Sequence, residues 1–177
     1  MRDRLLGIIL FAAAVAVLIG ILKVLNWVPG VMQEGLPRSY RTIEEVKTSL
    51  NIRVIFTPSY YPQGLRWPPA LITAQTKPYL MVLQEYARQD DNSISLIITQ
   101  TAGNVSVPNL PITMISKTEE VPFELKGRNA VLEVGLCKKS VQCSRVSWDE
   151  GAFRIMVIMI APPSEMVKTA DSMLSGQ

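Results

Sequence analysis

A long apolar run near the N-terminus limits what this chain can fold into more than any other feature. Of the 24 residues at positions 5–28, 20 are apolar, and the exceptions are Gly7, Gly20, Lys23 and Asn26. The first 18 carry no charge, and a helix of that length is about 27 Å long, close to the ~30 Å hydrocarbon core of a bilayer. The run therefore predicts a transmembrane anchor at residues 5–28, between a cytoplasmic tail of residues 1–4 and a juxtamembrane linker of residues 29–41.

Three interpretations of this run remain open: a retained anchor, a cleaved signal peptide and a buried core helix. The basic start MRDR and the alanines after it also fit a signal peptide, but apolar residues continue past any small-residue cleavage site. Arg2 and Arg4 before the run outweigh Lys23 near its far end, which favours a cytoplasmic N-terminus. The sequence thus favours a signal-anchored, single-pass protein of the cell membrane, with residues 42–177 extracytoplasmic and the lipid bilayer as one partner.

Composition excludes several classes of function for the rest of the chain. The net charge is +3, and Arg2, Asp3, Arg4 and Lys23 account for +2 of it, so the remainder is nearly neutral and a nucleic-acid partner is not expected. The chain has no histidine, which removes the commonest general base and metal ligand. Neither G-x-x-x-x-G-K nor G-x-G-x-x-G occurs, so no nucleotide and no cofactor is expected.

The two cysteines, Cys137 and Cys143, are separated by five residues. In a hairpin both would point to the same face of the sheet, opposite the apolar face of their strands, where they could form a disulfide. Free thiols in a reducing compartment are the alternative, and a catalytic dithiol would more often have C-x-x-C spacing. A disulfide would agree with an extracytoplasmic location.

Periodicity predicts an α+β fold for residues 42–177, with one antiparallel sheet and two short flanking helices. Thr42 and Glu45 form a capping box before a helix at residues 43–50. A second helix follows Pro162-Pro163, with an apolar stripe that includes Met166 and Ala170. The predicted strands are residues 53–56, 71–73, 79–86, 94–100, 121–125, 129–136, 144–148 and 153–160.

Two further expectations concern positions in this sheet. Residues 155–160 are apolar on both faces, which predicts a central strand. Residues 103–120 contain two prolines and little periodicity, and we expect a long excursion there.

The order of these elements is similar to that of a family of small extracytoplasmic domains on single-pass bacterial membrane proteins, including anti-sigma-factor-like regulators. The motifs are P-S-Y-Y-P-Q-G at residues 58–64, R-V-S-W-D-E-G-A-F-R-I at 145–155 and K-T-A-D-S-M-L at 168–174. The chain also resembles, in outline, the C-terminal domain of periplasmic envelope-stress sensors. The resemblance covers about residues 40–175. It implies a non-catalytic binding or sensing domain and carries over no functional residues.

Tyr60, Tyr61 and Trp67 belong to the densest aromatic and proline cluster of the chain. They could pack over a sheet edge, or they could bind a partner, because aromatic side chains in rigid loops lose little entropy on association. Acidic pairs such as Asp90-Asp91 and Asp149-Glu150 lie in predicted turns, so we expect neither catalytic nor metal-binding residues. The leading hypothesis is a membrane-anchored extracytoplasmic binding or regulatory domain that acts through protein–protein contact. The alternative is an accessory single-pass subunit that stabilises a larger membrane protein complex.

Overall fold

The computed structural model describes residues 13–23 and 36–174. The chain divides into two units, Met1–Leu36 and Pro37–Gln177. In the first unit, helix α1 is described over residues 13–23. The second unit contains the sheet and two helices, α2 at Ile43–Leu50 and α3 at Pro163–Ser172.

The fold class predicted from the sequence needs a correction at the N-terminus. We expected a transmembrane helix at residues 5–28, but within residues 13–23 and 36–174 no helix is both long and apolar enough to cross a membrane. Residues 5–12 and 24–28 of the expected span lie outside the described residues, as do the predicted tail and residues 29–35 of the predicted linker. The transmembrane helix is therefore withdrawn from the fold class.

Eight strands form a single antiparallel sheet, as the alternating apolar pattern predicts. Their bounds are β1 Arg38–Tyr40, β2 Leu71–Gln75, β3 Met81–Ala87, β4 Ile94–Ala102, β5 Met114–Leu125, β6 Arg128–Cys137, β7 Val141–Glu150 and β8 Phe153–Met159. The order across the sheet is β1-β2-β3-β4-β8-β7-β6-β5. Strand β8 lies between β4 and β7, so the prediction of a central strand is confirmed.

Helix α2 begins where the capping box predicts. The Glu45 N–H donates to Thr42 Oγ1 at 3.1 Å, and Glu45 Oε2 accepts from the Arg41 N–H at 2.9 Å. The reciprocal bond reaches the residue before the N-cap, so it differs slightly from the usual box. Asn51 ends the helix in a left-handed conformation with φ 52°.

Both short helices cover one face of the sheet, which we call the first face. Val46 of α2 packs with Ile72 and Val82, while Met166 of α3 packs with Val146 and Trp148. The register places these strand residues on the same side of the sheet. The stripe predicted for the last helix is confirmed at Met166, Ala170 and Met173, which are all buried.

The opposite face, which we call the second face, has a smaller apolar cluster. Leu83, Ile97 and Ile158 pack there with Ile112, which comes from the segment between β4 and β5. This explains why β8 is apolar on both faces, since Ile158 contributes to one cluster and Val157 to the other.

Two predictions about strands are wrong. Residues 53–56 belong to no strand. Their backbone crosses the first face, where the Nε2 of Gln84 donates to Phe56 O at 2.9 Å and the Nε2 of Gln100 donates to Val54 O at 3.0 Å. The expected excursion over residues 103–120 is too long, because β5 begins at Met114.

Strand β5 starts with two irregularities in its pairing with β6, one between Met114 and Ser116 and one between Lys117 and Glu119. At this point a Cβ on Gly135 of β6 would lie 2.0 Å from Ser116 O. Glycine is therefore required for the close approach of the two strands. The bulged strand crosses β6 here and borders the second face.

Candidate functional site

The predicted aromatic cluster lies in an irregular segment between α2 and β2. We call residues 58–69 the aromatic loop. Trp67 is 54% exposed and Tyr60 is 37% exposed, whereas Tyr61 is half-buried. Exposed aromatic side chains that are grouped in one loop can mark an interaction site.

Three rings hold the loop against the first face. The ring centroids of Tyr61 and Trp67 are 4.8 Å apart, and Trp67 stacks on Tyr86 at 5.9 Å with an angle of 19° between the ring planes. Tyr86 belongs to β3 and is fully buried. Each such pair contributes about 0.5–1.5 kcal/mol beyond the burial of area. Trp67 is therefore exposed on one side and fixed on the other.

The beginning of the aromatic loop is bonded to α3. Ser172 Oγ accepts from the N–H groups of Ser59 at 3.2 Å and Tyr60 at 3.1 Å, and Ser59 Oγ donates to Ser172 O at 3.1 Å. Nearer the start of α3, the Tyr60 hydroxyl donates to Glu165 Oε2 at 2.6 Å. The loop is thus attached to the helix at two separate points.

The end of the aromatic loop is bonded to β3. The Arg66 N–H donates to Ala87 O at 2.9 Å, and the Ala70 N–H donates to Glu85 O at 2.7 Å. These bonds continue the pairing of β2 with β3 beyond the strand itself. Both ends of the loop are therefore fixed, and its aromatic side chains are preorganised.

A groove of about 460 Å³ lies between the aromatic loop and the start of α3. Tyr60 and Glu165 lie on its sides, and Ile160 and Pro162 contribute apolar surface. Ser95 also borders it, is only 4% exposed, and its Oγ has no hydrogen-bond partner in the described part of the chain. An unpaired buried hydroxyl at a groove can bond to a carbonyl of a bound polypeptide.

The tyrosines and Glu165 of this site each have one protonation state near neutral pH. Burial raises the pKa of Tyr61 and of Tyr86. The hydrogen bond to Glu165 raises the pKa of Tyr60, and the same bond, together with Lys168, lowers the pKa of the Glu165 carboxyl. The tyrosines therefore stay neutral, while Glu165 is a carboxylate.

The sequence predicted three of these residues and missed others. Tyr61 and Trp67 are in contact, and Tyr60 lies beside the groove. The packing interpretation agrees with Tyr61, which packs on the sheet. The binding interpretation agrees with Trp67, which faces outward. The missed residues are Tyr86, Ser95, Glu165 and Ser172. Their separation in sequence from the loop leaves no local signal.

The predicted disulfide is present between Cys137 and Cys143, with Cα atoms 5.8 Å apart. It closes the turn between β6 and β7, where Lys138–Ser140 form a short 3₁₀ turn. As expected, both cysteines lie on the second face, opposite Val146 and Trp148. The alternative of two free thiols is not what the structure contains.

The acidic pair Asp90-Asp91 has structural partners. Asp90 pairs with Arg88 through two hydrogen bonds of 2.9 and 2.6 Å, and Asp91 accepts from the N–H and the hydroxyl of Ser93. Over residues 13–23 and 36–174, no group of three or more acidic or cysteine side chains could hold a metal ion.

Comparison with known proteins finds no matching family model, no similar curated protein and no similar solved structure.

Proposed function

We propose that this chain is a non-catalytic extracytoplasmic binding or regulatory domain that acts through protein–protein contact, with the aromatic loop as the contact surface. One observation carries the proposal, namely that Trp67 is 54% exposed although it is stacked on a buried ring. Aromatic side chains that are fixed before binding dominate many protein interfaces, because they bury a large area and lose little conformational freedom.

The surroundings of Trp67 support this proposal. The loop is bonded to α3 at one end and to β3 at the other, so its shape does not need to be created on binding. The adjoining groove offers apolar surface next to the Ser95 hydroxyl, which has no hydrogen-bond partner among the described residues. A polar group beside an apolar anchor gives an interface orientation as well as affinity.

The disulfide supports the extracytoplasmic location. Structural disulfides persist in oxidising compartments and are rare in reducing ones. The nearly neutral charge of the sheet domain agrees with a protein partner rather than a nucleic acid.

A photo-crosslinking amino acid at position 67 tests the contact surface in cells that express the full chain. Ile115 is the matched control, because it is also an exposed apolar side chain, at 68%, but lies on β5. We expect a discrete crosslinked protein from position 67 and none from position 115, and mass spectrometry would identify it. In the same cells, Trp67→Ala should abolish co-purification of that protein. Equal crosslinking from both positions, or unchanged co-purification, would overturn the proposal.

A further inference from the structure

We propose that the second face of the sheet has a separate binding site for a neutral, polyhydroxylated ligand, that is, a saccharide. The site is a cavity of about 530 Å³ between the polar half of this face and the segment that joins β4 to β5. Its volume is within the range of ~300–1,000 Å³ that is usual for small-molecule sites. It does not share residues with the aromatic loop, so this proposal is independent of the proposed function.

The floor of the cavity is one row of residues across four neighbouring strands. Thr99 of β4 is paired in register with Met156 of β8, which is paired with Ser147 of β7, which is paired with Val131 of β6. All four line the cavity. The floor therefore alternates between hydroxyl groups and apolar side chains.

Two arginines lie on either side of this row. Arg145 precedes Ser147 by two residues on β7, and its Nε donates to Glu133 Oε2 at 2.5 Å. Arg154 precedes Met156 by two residues on β8, and its Nη2 donates to Ser147 Oγ at 3.2 Å. Within the described residues, Nη1 and Nη2 of Arg145 donate no hydrogen bond, so their donors are open to a ligand.

The charge balance of the cavity selects against a simple anion. The charged side chains that line it are two arginines and two glutamates. Glu133 is mostly buried, accepts from Arg145 and lies 3.7 Å from Lys117 Nζ, which also pairs with Glu120. An anion on Arg145 would meet this carboxylate at close range, whereas a neutral ligand would not.

Hydroxyl groups match this mixture of donors and acceptors. A sugar hydroxyl can accept from the guanidinium of Arg145 and donate to a carboxylate oxygen at the same time. Val131 and Met156 offer apolar contact to the C–H face of a sugar ring. On the opposite wall, Asn104 and Ser106 add an amide and a hydroxyl from the connecting segment.

The polar lining is also costly for a surface with only a packing role. Thr99 and Thr101 are almost fully buried and their hydroxyls donate to backbone carbonyls, whereas Glu133 and Ser147 are mostly buried and the Ser147 hydroxyl donates no hydrogen bond within the described residues. Apolar side chains at such positions would hold the connecting segment at least as well, because buried ion pairs contribute little net stability. Nearby on the same face, Ile112 and Leu83 show that apolar packing of this segment is available.

The test uses the purified full chain and three probes: glucose, N-acetylglucosamine and its β-1,4 disaccharide. Saturation transfer from protein to probe protons is expected for at least one of them, with shifts of the Ser147 and Arg154 amide signals on titration. Ser147→Val removes a hydroxyl from the floor, and Asn104→Ala shortens an exposed side chain of the connecting segment. Each variant should weaken binding by roughly tenfold, the effect of one lost hydrogen bond.

Thr73→Val is the matched control, because Thr73 is on the second face in the same row as Thr99 but outside the cavity. It should leave the affinity unchanged. The proposal is overturned if none of the three saccharides receives saturation, or if Ser147→Val and Asn104→Ala both bind as the wild type does. It is also overturned if inorganic phosphate or glycine shifts these amide signals more strongly than the saccharides do.

Discussion

Polar side chains are buried on both faces of the sheet, but their hydrogen bonds differ between the two faces. On the first face, Gln84 and Gln100 are fully buried, and their amide groups bond to the backbone of residues 54–56 and to the Tyr86 hydroxyl. On the second face, Arg145 and Ser147 are bonded within the sheet but keep donors that the described residues do not use.

This difference distinguishes the buried polar groups that stabilise the fold from those that can bind a ligand. A buried amide whose partners are all within the protein fixes the fold, and losing it would leave unpaired groups behind. A partly used guanidinium next to a cavity adds little to stability and can bind something else. We therefore expect substitutions on the first face to change stability strongly, and substitutions in the cavity to change mainly ligand affinity.

The largest expected effect comes from two adjacent residues of β7 that point to opposite faces. Trp148 is 1% exposed and packs on the first face, while Ser147 lies in the cavity. Trp148→Ala should lower the free energy of unfolding by about 3–5 kcal/mol, and Ser147→Ala by about 1 kcal/mol or less. Urea unfolding followed by far-ultraviolet circular dichroism measures both.

Trp148→Phe is the control, since it keeps a ring in the core and removes an indole N–H that has no partner among the described residues. It should cost clearly less than Trp148→Ala. Similar losses for Trp148→Ala and Ser147→Ala would mean that the two faces do not divide the roles as we infer.

A smaller effect is expected from the disulfide, which supports the apolar half of the second face. Replacing Cys137 and Cys143 by serine should lower the free energy of unfolding by about 2 kcal/mol, because the closed loop is short. Intact mass after alkylation checks the oxidation state in the native protein. Complete alkylation of both cysteines without reductant would contradict the disulfide. It would also weaken the argument for an extracytoplasmic location.

The sequence predicts those parts of the fold in which the signal is local. Two-sided apolar character identifies β8 as central, and strand parity puts the two cysteines on the same face. The N-cap Thr42 marks the start of α2 to the residue. In each case neighbours in the sequence decide the structure.

The sequence predictions are wrong where residues distant in the sequence determine the local structure. Residues 53–56 have the composition of a strand, but their backbone bonds to glutamine side chains of β3 and β4. The start of β5 is rich in charged and polar residues because it is an edge strand that faces solvent, so its sequence does not resemble a buried strand. Likewise the contact of Tyr60 with Ser172 joins residues 112 positions apart.

The smallest effect we predict is on the pH dependence of stability. It concerns two carboxyl groups, those of Glu133 and Glu85, which both lie on the second face. The hydrogen bond from Arg145 lowers the pKa of Glu133, while burial raises the pKa of Glu85. Stability from Glu133 is therefore present above the ordinary glutamate pKa of about 4.3 and is lost as the pH falls through its lower folded pKa. Glu85 acts in the opposite direction, because its stability is greatest below the ordinary pKa and is lost as the pH rises through its higher folded pKa.

The variants Glu133→Gln and Glu85→Gln separate these contributions above the raised folded pKa of Glu85, where both carboxyl groups are ionised. Glu133→Gln should destabilise the fold, since Arg145 loses the charge of its partner. Glu85→Gln should stabilise it, since a neutral amide replaces a desolvated carboxylate without an opposite charge. Urea unfolding between pH 3 and pH 7 measures both. The signs are opposite because a paired charge and an unpaired charge respond differently to the same burial, and changes of equal sign would show that burial alone controls this face.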